Sequence, residues 1–498
     1  MAKKQNNNPM CVLTMALLTE PWQEHILEKR FAIIEHLKNQ LIAMELRKLK
    51  NVQRTKAYRN LMAEIEETPK EKRKSLYSKR TKLLRDAGLS EFAFKKDMTR
   101  MQKHFAEHIA AQIAHKAASD VWRSFEKYLF DSGRDVHFHK RGTLESVACQ
   151  TIGNGMSYKD GIFVWGGGQV PEKITVRIPV ADPSTDYERE MLTRKIKYVR
   201  VVRKWMKTRY KYYLQFTLEG SAVKKERKIA HGRVGLDIGP QTLAISSAAS
   251  VRLMELAERV NDNHRKKLML QQKMDRSRRS TNPDNYNPDG TIRRSLPGQR
   301  MKWVYSGHYR ELAGKVRELE RKNAAIRKYE HTCLANSILA LGDEVYIETM
   351  SFKGLQRRAK ETKVDRNGRY QKKKRFGKSL ANKAPASFIM LLEAKLSQYG
   401  GALYKLDTAS FRASQYDHTS DSYRKCLLSE RWKVLADGDS VQRDLYSAFL
   451  IMNSKSTLDR CDRELCSHSF ETFKLLHDAE IDRMKQKNRK YLSSFGIS

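Results

Sequence analysis

The sequence predicts a multi-domain α+β protein, and three observations carry that reading. Amphipathic helical patterns occupy the first part of the chain, short β-like runs broken by Gly and Pro take over from about His137, and strands mix with helices from near Ile229. With 498 residues, 40% of them hydrophobic, the chain is long enough to bury two or more cores.

The elements follow in order. After a polar tail, "CVLTMALL" reads as a strand, and Pro21 opens a helix in which Ile26, Phe31, Ile34, Leu37, Leu41 and Met44 recur at helical spacing. A second helical region is expected over roughly Ser90 to Phe130, its final stretch having Ile109, Ile113, Val121, Trp122, Phe125 and Leu129 on the apolar face and Gly133 as the stop. "WGGGQ" and "VPEKITVRIPVADP" then mark short strands. In "KIKYVRVVRKWMKTRYKYYLQFTLEG" apolar or aromatic residues alternate with cations over two runs, a pattern of a half-buried hairpin. Its Lys195, Lys197, Arg200, Arg203 and Lys204 are expected to face outward together toward a nucleic-acid backbone; an ordinary half-exposed hairpin is the alternative. Further on come the strand "GRVGLDIG", a polar loop, a helical stretch from about Val304 to Leu341, the strand "EVYIE", a helix around Pro385 to Tyr399 and the strand "ALYKLDT".

Charge narrows the function. Lys and Arg number 97 against 57 Asp and Glu, a net +40. An excess of that size points to a polyanion, usually nucleic acid, because neutralised phosphates release counterions. A ribosome-associated or membrane-surface protein is the bland alternative, but the cations lie in many separate clusters and not on one amphipathic helix. Six scattered cysteines without a CxxC pair fit a reducing cytosol and no disulfides. No apolar run reaches the length of a membrane span, and "MAKKQNNNPM" lacks a signal-peptide core, so a cytoplasmic protein without a membrane partner is expected.

Chemistry concentrates in three acids. Asp237 interrupts the apolar run Val234, Leu236, Ile238 just before a Gly-Pro turn; Glu348 ends "VYIE"; Asp444 opens the apolar "DLYSAFLI". A buried carboxylate costs several kcal/mol, on the order of 2–7, unless a cation answers it. Singly, each acid also reads as a surface carboxylate or an ion-pair partner. Jointly they suit hard divalent cations, which activate water and stabilise a leaving oxygen in attack on a phosphodiester.

In this order "GLDIGPQTLAISS", "VYIETMSFKGL" and "VQRDLYSAFL" resemble the three RuvC motifs of the TnpB-type transposon-encoded nucleases and the type V CRISPR effectors related to them. "VWRSFEKYLFDSG", "MDRSRRSTNPDNYNPDGT", "RFGKSLANKAPASFI" and "SQYDHTSDSYRKCLLSERW" extend the likeness over most of the chain. The resemblance implies an RNase H-like RuvC α/β nuclease domain, an N-terminal wedge-type β-barrel and an inserted helical recognition domain. It divides the chain into a tail and first wedge strand (1–20), the helical domain (21–136), the barrel (137–228), RuvC motifs I and II (229–410), a target-nucleic-acid-binding insert (411–436) and motif III with C-terminal helices (437–498). By motif match Asp237, Glu348 and Asp444 are the catalytic metal ligands, holding a pair of Mg2+ ions for which Mn2+ can substitute. A guide RNA and target double-stranded DNA are the implied partners, with other proteins of a transposon or CRISPR locus beside them, in a prokaryotic cytoplasm and at the nucleoid when active. A guide-independent resolvase or transposase and a non-cutting regulator remain the rivals.

Many relatives carry a four-cysteine zinc ribbon in the insert, where this chain offers only His418 and Cys426, so no zinc is expected and packing of Tyr416, Tyr423 and Trp432 should hold the insert together. Cys461, Cys466 and His468 read as ordinary residues of a terminal helix. The basic segment after Glu348, including Arg357, Arg358, Lys372, Lys373, Lys374 and Arg375, reads as a solvated loop that draws in a DNA strand without reading its sequence.

Overall fold

The structure is a computed structural model that describes residues 9–130, 133–224, 226, 229–293, 295, 299, 301–359, 361, 364, 368, 376–427, 429–487 and 491–497. The chain forms two compact units, Met1–Lys224 and Lys225–Ser498. Among the described residues no helix is long and apolar enough to cross a membrane.

The first unit opens with β1 (Met10–Ala16), followed by helices α1 (Pro21–Arg54), α2 (Lys56–Glu67), α3 (Lys74–Asp86), α4 (Glu91–Gln102) and α5 (Ala111–Phe130). Pro21 takes the first helical position of α1, where its missing N–H is no loss, and the Gln23 side chain accepts from the Glu20 amide at 2.9 Å. Phe31, Ile34, Leu37 and Leu41 are buried, with Ile26 and Met44 packed at the margin. The helical region expected over Ser90 to Phe130 consists of α4 and α5. Ser90 Oγ caps α4 by accepting from the Ala93 amide, and Gln102 Nε2 closes the turn onto the Ile109 carbonyl at 2.6 Å. The reversal lets the two apolar faces meet, with the Phe94 and Phe125 rings 5.0 Å apart, which one straight helix cannot do. The Gly133 amide donates to the Lys127 carbonyl at the end of α5.

The β part follows: β2 (Ser146–Ala148), β3 (Met156–Lys159), β4 (Ile162–Trp165), β5 (Val176–Pro179), the short α6 (Asp186–Leu192), β6 (Ile196–Met206) and β7 (Arg209–Glu219). Strands pair in the orders β1-β7-β6-β2 and β3-β4-β5. Among the described residues the isolated bridge Leu17 to Val180 joins the two ladders.

The β6–β7 hairpin corrects one expectation. A strand turns alternate residues to opposite faces, so Arg200 and Lys204 cannot share a face with Arg203. Arg203 follows Val199 and Val201 inward. Its Nε donates to the Leu144 carbonyl at 2.9 Å, and its guanidinium lies 4.6 Å from the Phe31 ring centre and 4.4 Å from that of Tyr210. Arg203 is a buried tie between strand and helix, not an outward phosphate contact. Lys204 is exposed and lies over the Tyr213 ring, Lys195 pairs with Glu219 at 3.5 Å, and Lys197 and Arg200 are half-buried.

The second unit centres on a five-stranded sheet of β8 (Arg233–Ile238), β9 (Thr242–Ser247), β10 (Val251–Glu255), β11 (Glu344–Glu348) and β12 (Ala402–Leu406), in the order β10-β9-β8-β11-β12. β8, β11 and β12 run parallel, and β9 is antiparallel to both its neighbours. Between β10 and β11 lie α7 (His264–Thr281) and α8 (Gly307–Leu339); between β11 and β12 lie α9 (Phe352–Leu355), α10 (Gly377–Lys383) and α11 (Pro385–Tyr399). After β12 come α12 (Thr408–Phe411), two short hairpins, β13 (Tyr416–Asp417) with β14 (Ser422–Tyr423) and β15 (Trp432–Val434) with β16 (Ser440–Gln442), then α13 (Arg443–Met452) and α14 (Arg463–Gln486).

Alternation assigns the faces. Val234, Leu236, Val345 and Ile347 pack with Ile338 of α8 and Phe388 and Leu392 of α11. Tyr346 packs in the opposite core with Leu445, Ala448 and Phe449 of α13, so Gly235, Asp237 and Glu348 also belong to the α13 side. Gly235 is the close-approach point: a Cβ there would collide with the Ala448 carbonyl oxygen and the Met452 backbone nitrogen.

Two stability predictions follow from these contacts. Gly235→Ala should destabilise the second unit by about 1–3 kcal/mol or more through overpacking, whereas Gly314→Ala, on α8 with open space around it, should be neutral or stabilising by about 0.5–1 kcal/mol; thermal unfolding of both variants reads the contrast. In the first unit, Arg203→Ala should lower the unfolding midpoint, because it strands the buried Leu144 carbonyl at about 1–3 kcal/mol, while Lys204→Ala should move it by no more than about 0.5 kcal/mol.

Candidate active site

The sheet register places two of the acids side by side. β11 pairs with β8 in parallel up to Ile347 opposite Leu236, and one further step sets Glu348 beside Asp237. Parallel strands end at the same sheet edge, so both carboxylates leave from that edge on the α13 side. Asp444 arrives from the opposite wall, in the first turn of α13. Asp237 and Asp444 line one cleft of about 740 Å³, together with Gln415, Lys425, Arg431 and Arg443.

Electrostatics record the convergence. Burial, then the charges of Asp444 and Glu348, push the Asp237 carboxyl well above its ordinary range, with Arg443 acting against them. Burial also raises Asp444, opposed by Arg443 and Arg431, and raises Glu348, opposed by a hydrogen bond from the Ala413 amide at 3.1 Å. Arg443 is itself buried; its Nε stands 3.7 Å from Asp444, and its Nη1 donates to the Leu427 carbonyl at 3.2 Å. Lys425, Arg431 and Arg443 stand in the same lining, and burial still dominates the upward shift at each of the three acids. Their hard oxygen donors fit a hard divalent cation such as Mg2+. Among the described residues no group of three His, Cys, Asp or Glu side chains forms a ready ion cage, and Glu348 is tethered to the Ala413 amide.

Several positioning groups carry no local sequence signal. Gln442 caps α13 by accepting from the Leu445 amide at 2.8 Å, and its own amide donates to Nε2 of His477 at 2.9 Å. That bond makes Nε2 an acceptor, so the His477 proton sits on Nδ1, facing Asp478 at 2.8 Å. Asp407, directly after β12, adds a fourth carboxylate whose charge also raises Glu348. Its signal was available: "YKLD" is another apolar strand ending in an acid.

The expected aromatics do pack in the insert: Tyr416 is buried with its ring 4.9 Å from that of Tyr423, and Trp432 stands edge-on to His477 at 5.9 Å, although Tyr423 and Trp432 are 42% and 37% exposed. Polar ties add to this packing. His418 Nδ1 lies 2.7 Å from the Tyr446 hydroxyl, Asp417 accepts from the Thr419 and Ala436 amides, and buried Lys433 donates to the Tyr416 carbonyl. Cys426 is half-exposed with its thiol near the Arg424 carbonyl, and Cys461 and Cys466 are buried with their sulfurs 3.1 Å apart. Of the basic segment after Glu348, Arg357 and Arg358 are exposed, and Lys372, Lys373, Lys374 and Arg375 lie outside the described residues.

No protein-family profile and no curated protein matches the chain. Among solved structures it is similar to a chain of the cryo-EM structure of a Cas12f1–sgRNA–target DNA complex, with 12% identity and a TM-score of 0.40 over 89% of this chain and 98% of that one. It is also similar to a chain of the cryo-EM structure of a CRISPR–Cas12f ternary complex, with 14% identity and a TM-score of 0.25 over 87% and 82%. The functional case therefore rests on the residues of the cleft and the three sequence motifs around them.

Proposed function

We propose that the chain is an RNA-guided DNA endonuclease that hydrolyses phosphodiesters at the Asp237, Glu348 and Asp444 site. The observation that carries this reading is that Asp237, on the central strand, feels the charges of two acids distant in sequence, Glu348 at the end of the adjacent parallel strand and Asp444 on the helix facing them, with Asp237 and Asp444 lining one cleft. The strand order, with one antiparallel member beside the central strand, supports the RNase H-like expectation. Guide pairing supplies sequence choice, and the protein holds the heteroduplex beside a short flanking motif. The +40 charge supports such a polyanionic load.

Asp237, Asp444 and Glu348 would hold the Mg2+ ions, which when bound supply water activation and charge stabilisation at the leaving oxygen. Arg443 limits carboxylate repulsion and fixes Asp444, while Gln442 and His477 hold the first turn of α13 in place. Lys425 and Arg431 line the cleft and suit the phosphates flanking the scissile bond. No structural zinc belongs to this reading, since the insert is tied by His418, Asp417 and Lys433.

Asp237→Ala, Glu348→Ala and Asp444→Ala should each reduce cleavage of a guide-matched plasmid by at least about 100-fold while leaving RNA binding within about twofold, because each group acts on the reacting charge more than on the fold. Near-normal cleavage by any one removes that residue from the site. The protein purified from its expressing cell with its locus should also carry a discrete RNA, seen as nuclease-sensitive ultraviolet absorbance; protein free of RNA that still cuts would favour a guide-independent nuclease.

A further inference from the structure

One pair of thiols in the second unit takes no part in the cleft. Cys461 stands just before α14 and Cys466 in its first turn, with the two sulfurs 3.1 Å apart. The Cys461 thiol also reaches the carbonyls of Leu450 and Asn453 at the end of α13, each at 3.6 Å, and the Asp462 amide donates to the same Asn453 carbonyl at 2.8 Å. Asn453 Nδ2 in turn donates to Ser469 Oγ of α14 at 3.2 Å. The pair therefore sits in the joint between α13 and α14.

The two sulfurs differ in access. Cys461 lines a pocket of about 540 Å³ in which Arg412, Lys455, Arg460 and Arg463 outnumber Asp421 and Asp459, a lining that draws anions. Cys466 is fully buried and is not among its walls. An isolated buried thiol is inert, but a second sulfur within reach makes the pair an exchange couple. The bond from Cys461, and then burial, hold the Cys466 thiol well above its ordinary range, and the first of these causes vanishes once the Cys461 sulfur is occupied.

We propose that Cys461 and Cys466 are a reversible oxidation site for a small carboxylate-bearing disulfide such as glutathione disulfide, entered from the pocket at Cys461, and that closing the pair loosens the end of α13. The Cys461 sulfur attacks one sulfur of glutathione disulfide; that S–S bond breaks, one glutathione leaves as a thiol with the Cys461 proton, and a mixed disulfide remains. The Cys466 sulfur then attacks the Cys461 sulfur, and the second glutathione leaves as a thiol with the Cys466 proton. Two protein thiols are oxidised, one glutathione disulfide is reduced, and excess glutathione reverses both steps. Closure to a bond of about 2.05 Å removes the Cys461 proton, and with it the bonds to the Leu450 and Asn453 carbonyls. The effect on cleavage rests on the nuclease reading above; the oxidation site does not.

The test incubates the reduced full chain in glutathione disulfide without denaturant, blocks the remaining thiols by alkylation and maps tryptic peptides. Trypsin cuts after Arg463, between the two cysteines, so the closed pair is read as two peptides joined by a disulfide. That linkage is expected, with exposed Cys333 carrying a lasting glutathione adduct as the mark of an isolated thiol. In Cys466→Ser the adduct should persist on Cys461; in Cys461→Ser, Cys466 should stay free. Cys461 and Cys466 both unreacted in a chain whose Cys333 has reacted, a glutathione adduct that persists on native Cys461, or a link that forms only in urea overturns the site. The effect on α13 is read in the Cys426→Ser background, because Cys426 lines the cleft and would take its own adduct. There the oxidised chain should cut a guide-matched plasmid about tenfold more slowly than the reduced chain and recover in dithiothreitol, since a displacement of about 1 Å carried to a catalytic group costs up to about 100-fold. Adding Cys461→Ser and Cys466→Ser should abolish the difference. Equal cleavage by the oxidised and reduced forms overturns the loosening of α13 and leaves the oxidation site standing. If the reduced chain does not cut at all, the nuclease reading fails, and the peptide map still decides the site.

Discussion

The second unit depends on how closely α13 can approach β8. The helix crosses the central strand over Gly235, where a side chain would meet the Ala448 carbonyl and the Met452 nitrogen. Because that position is bare, the first turn of α13 can bring Asp444 near enough to feel the charge of Asp237. Most of the surrounding core serves this approach. Tyr346 and Leu406 fill the sheet side, and Leu445, Phe449 and Phe473 the helix side, at about 1.5–3 kcal/mol for each large apolar side chain buried.

That packing sets up an electrostatic problem. Three carboxylates share a weakly solvated space, and the cation nearest Asp444, Arg443, is itself buried and divided between a carboxylate and a backbone carbonyl. Desolvation dominates the upward shift at all three acids, so each holds its proton more tightly than an exposed carboxyl does. The fold keeps them together because the sheet core on one face and α13 on the other leave the strand ends and the helix start nowhere else to go.

Much of this was legible in the sequence, and the gaps have physical causes. The apolar runs ending in acids at Asp237 and Glu348, and the acid opening "DLYSAFLI", are local patterns, and the structure finds β8, β11 and α13 there. The helix from Pro385 to Tyr399 is bounded by Pro and Gly, the strongest local punctuation, and α11 has those limits. Arg203 departs from what its charge suggests because period-two alternation puts it on the buried face of Val199 and Val201. His477 supporting Gln442, and Tyr446 supporting His418, were beyond reach: each joins residues far apart in sequence, and a lone buried histidine has no local signature. The break between α4 and α5 was hidden because both halves carry the same helical period.

The parallel pairing of β8 with β11 has a consequence for how such a chain can change over time. Glu348 reaches its place by register, counted from Arg233 opposite Glu344, and not by the length of what connects the strands. Everything between β10 and β11 leaves and re-enters the sheet without altering that register. Insertions and deletions in the loops there, away from α8 residues such as Ile338 that pack on the sheet, can therefore accumulate at a loop-closure cost that grows only logarithmically, about 0.6 kcal/mol for each doubling of length. The chemistry is addressed by strand order while the periphery is left open to drift, so lineages built on this sheet can differ widely in size and outer contacts and still align at three short islands of sequence.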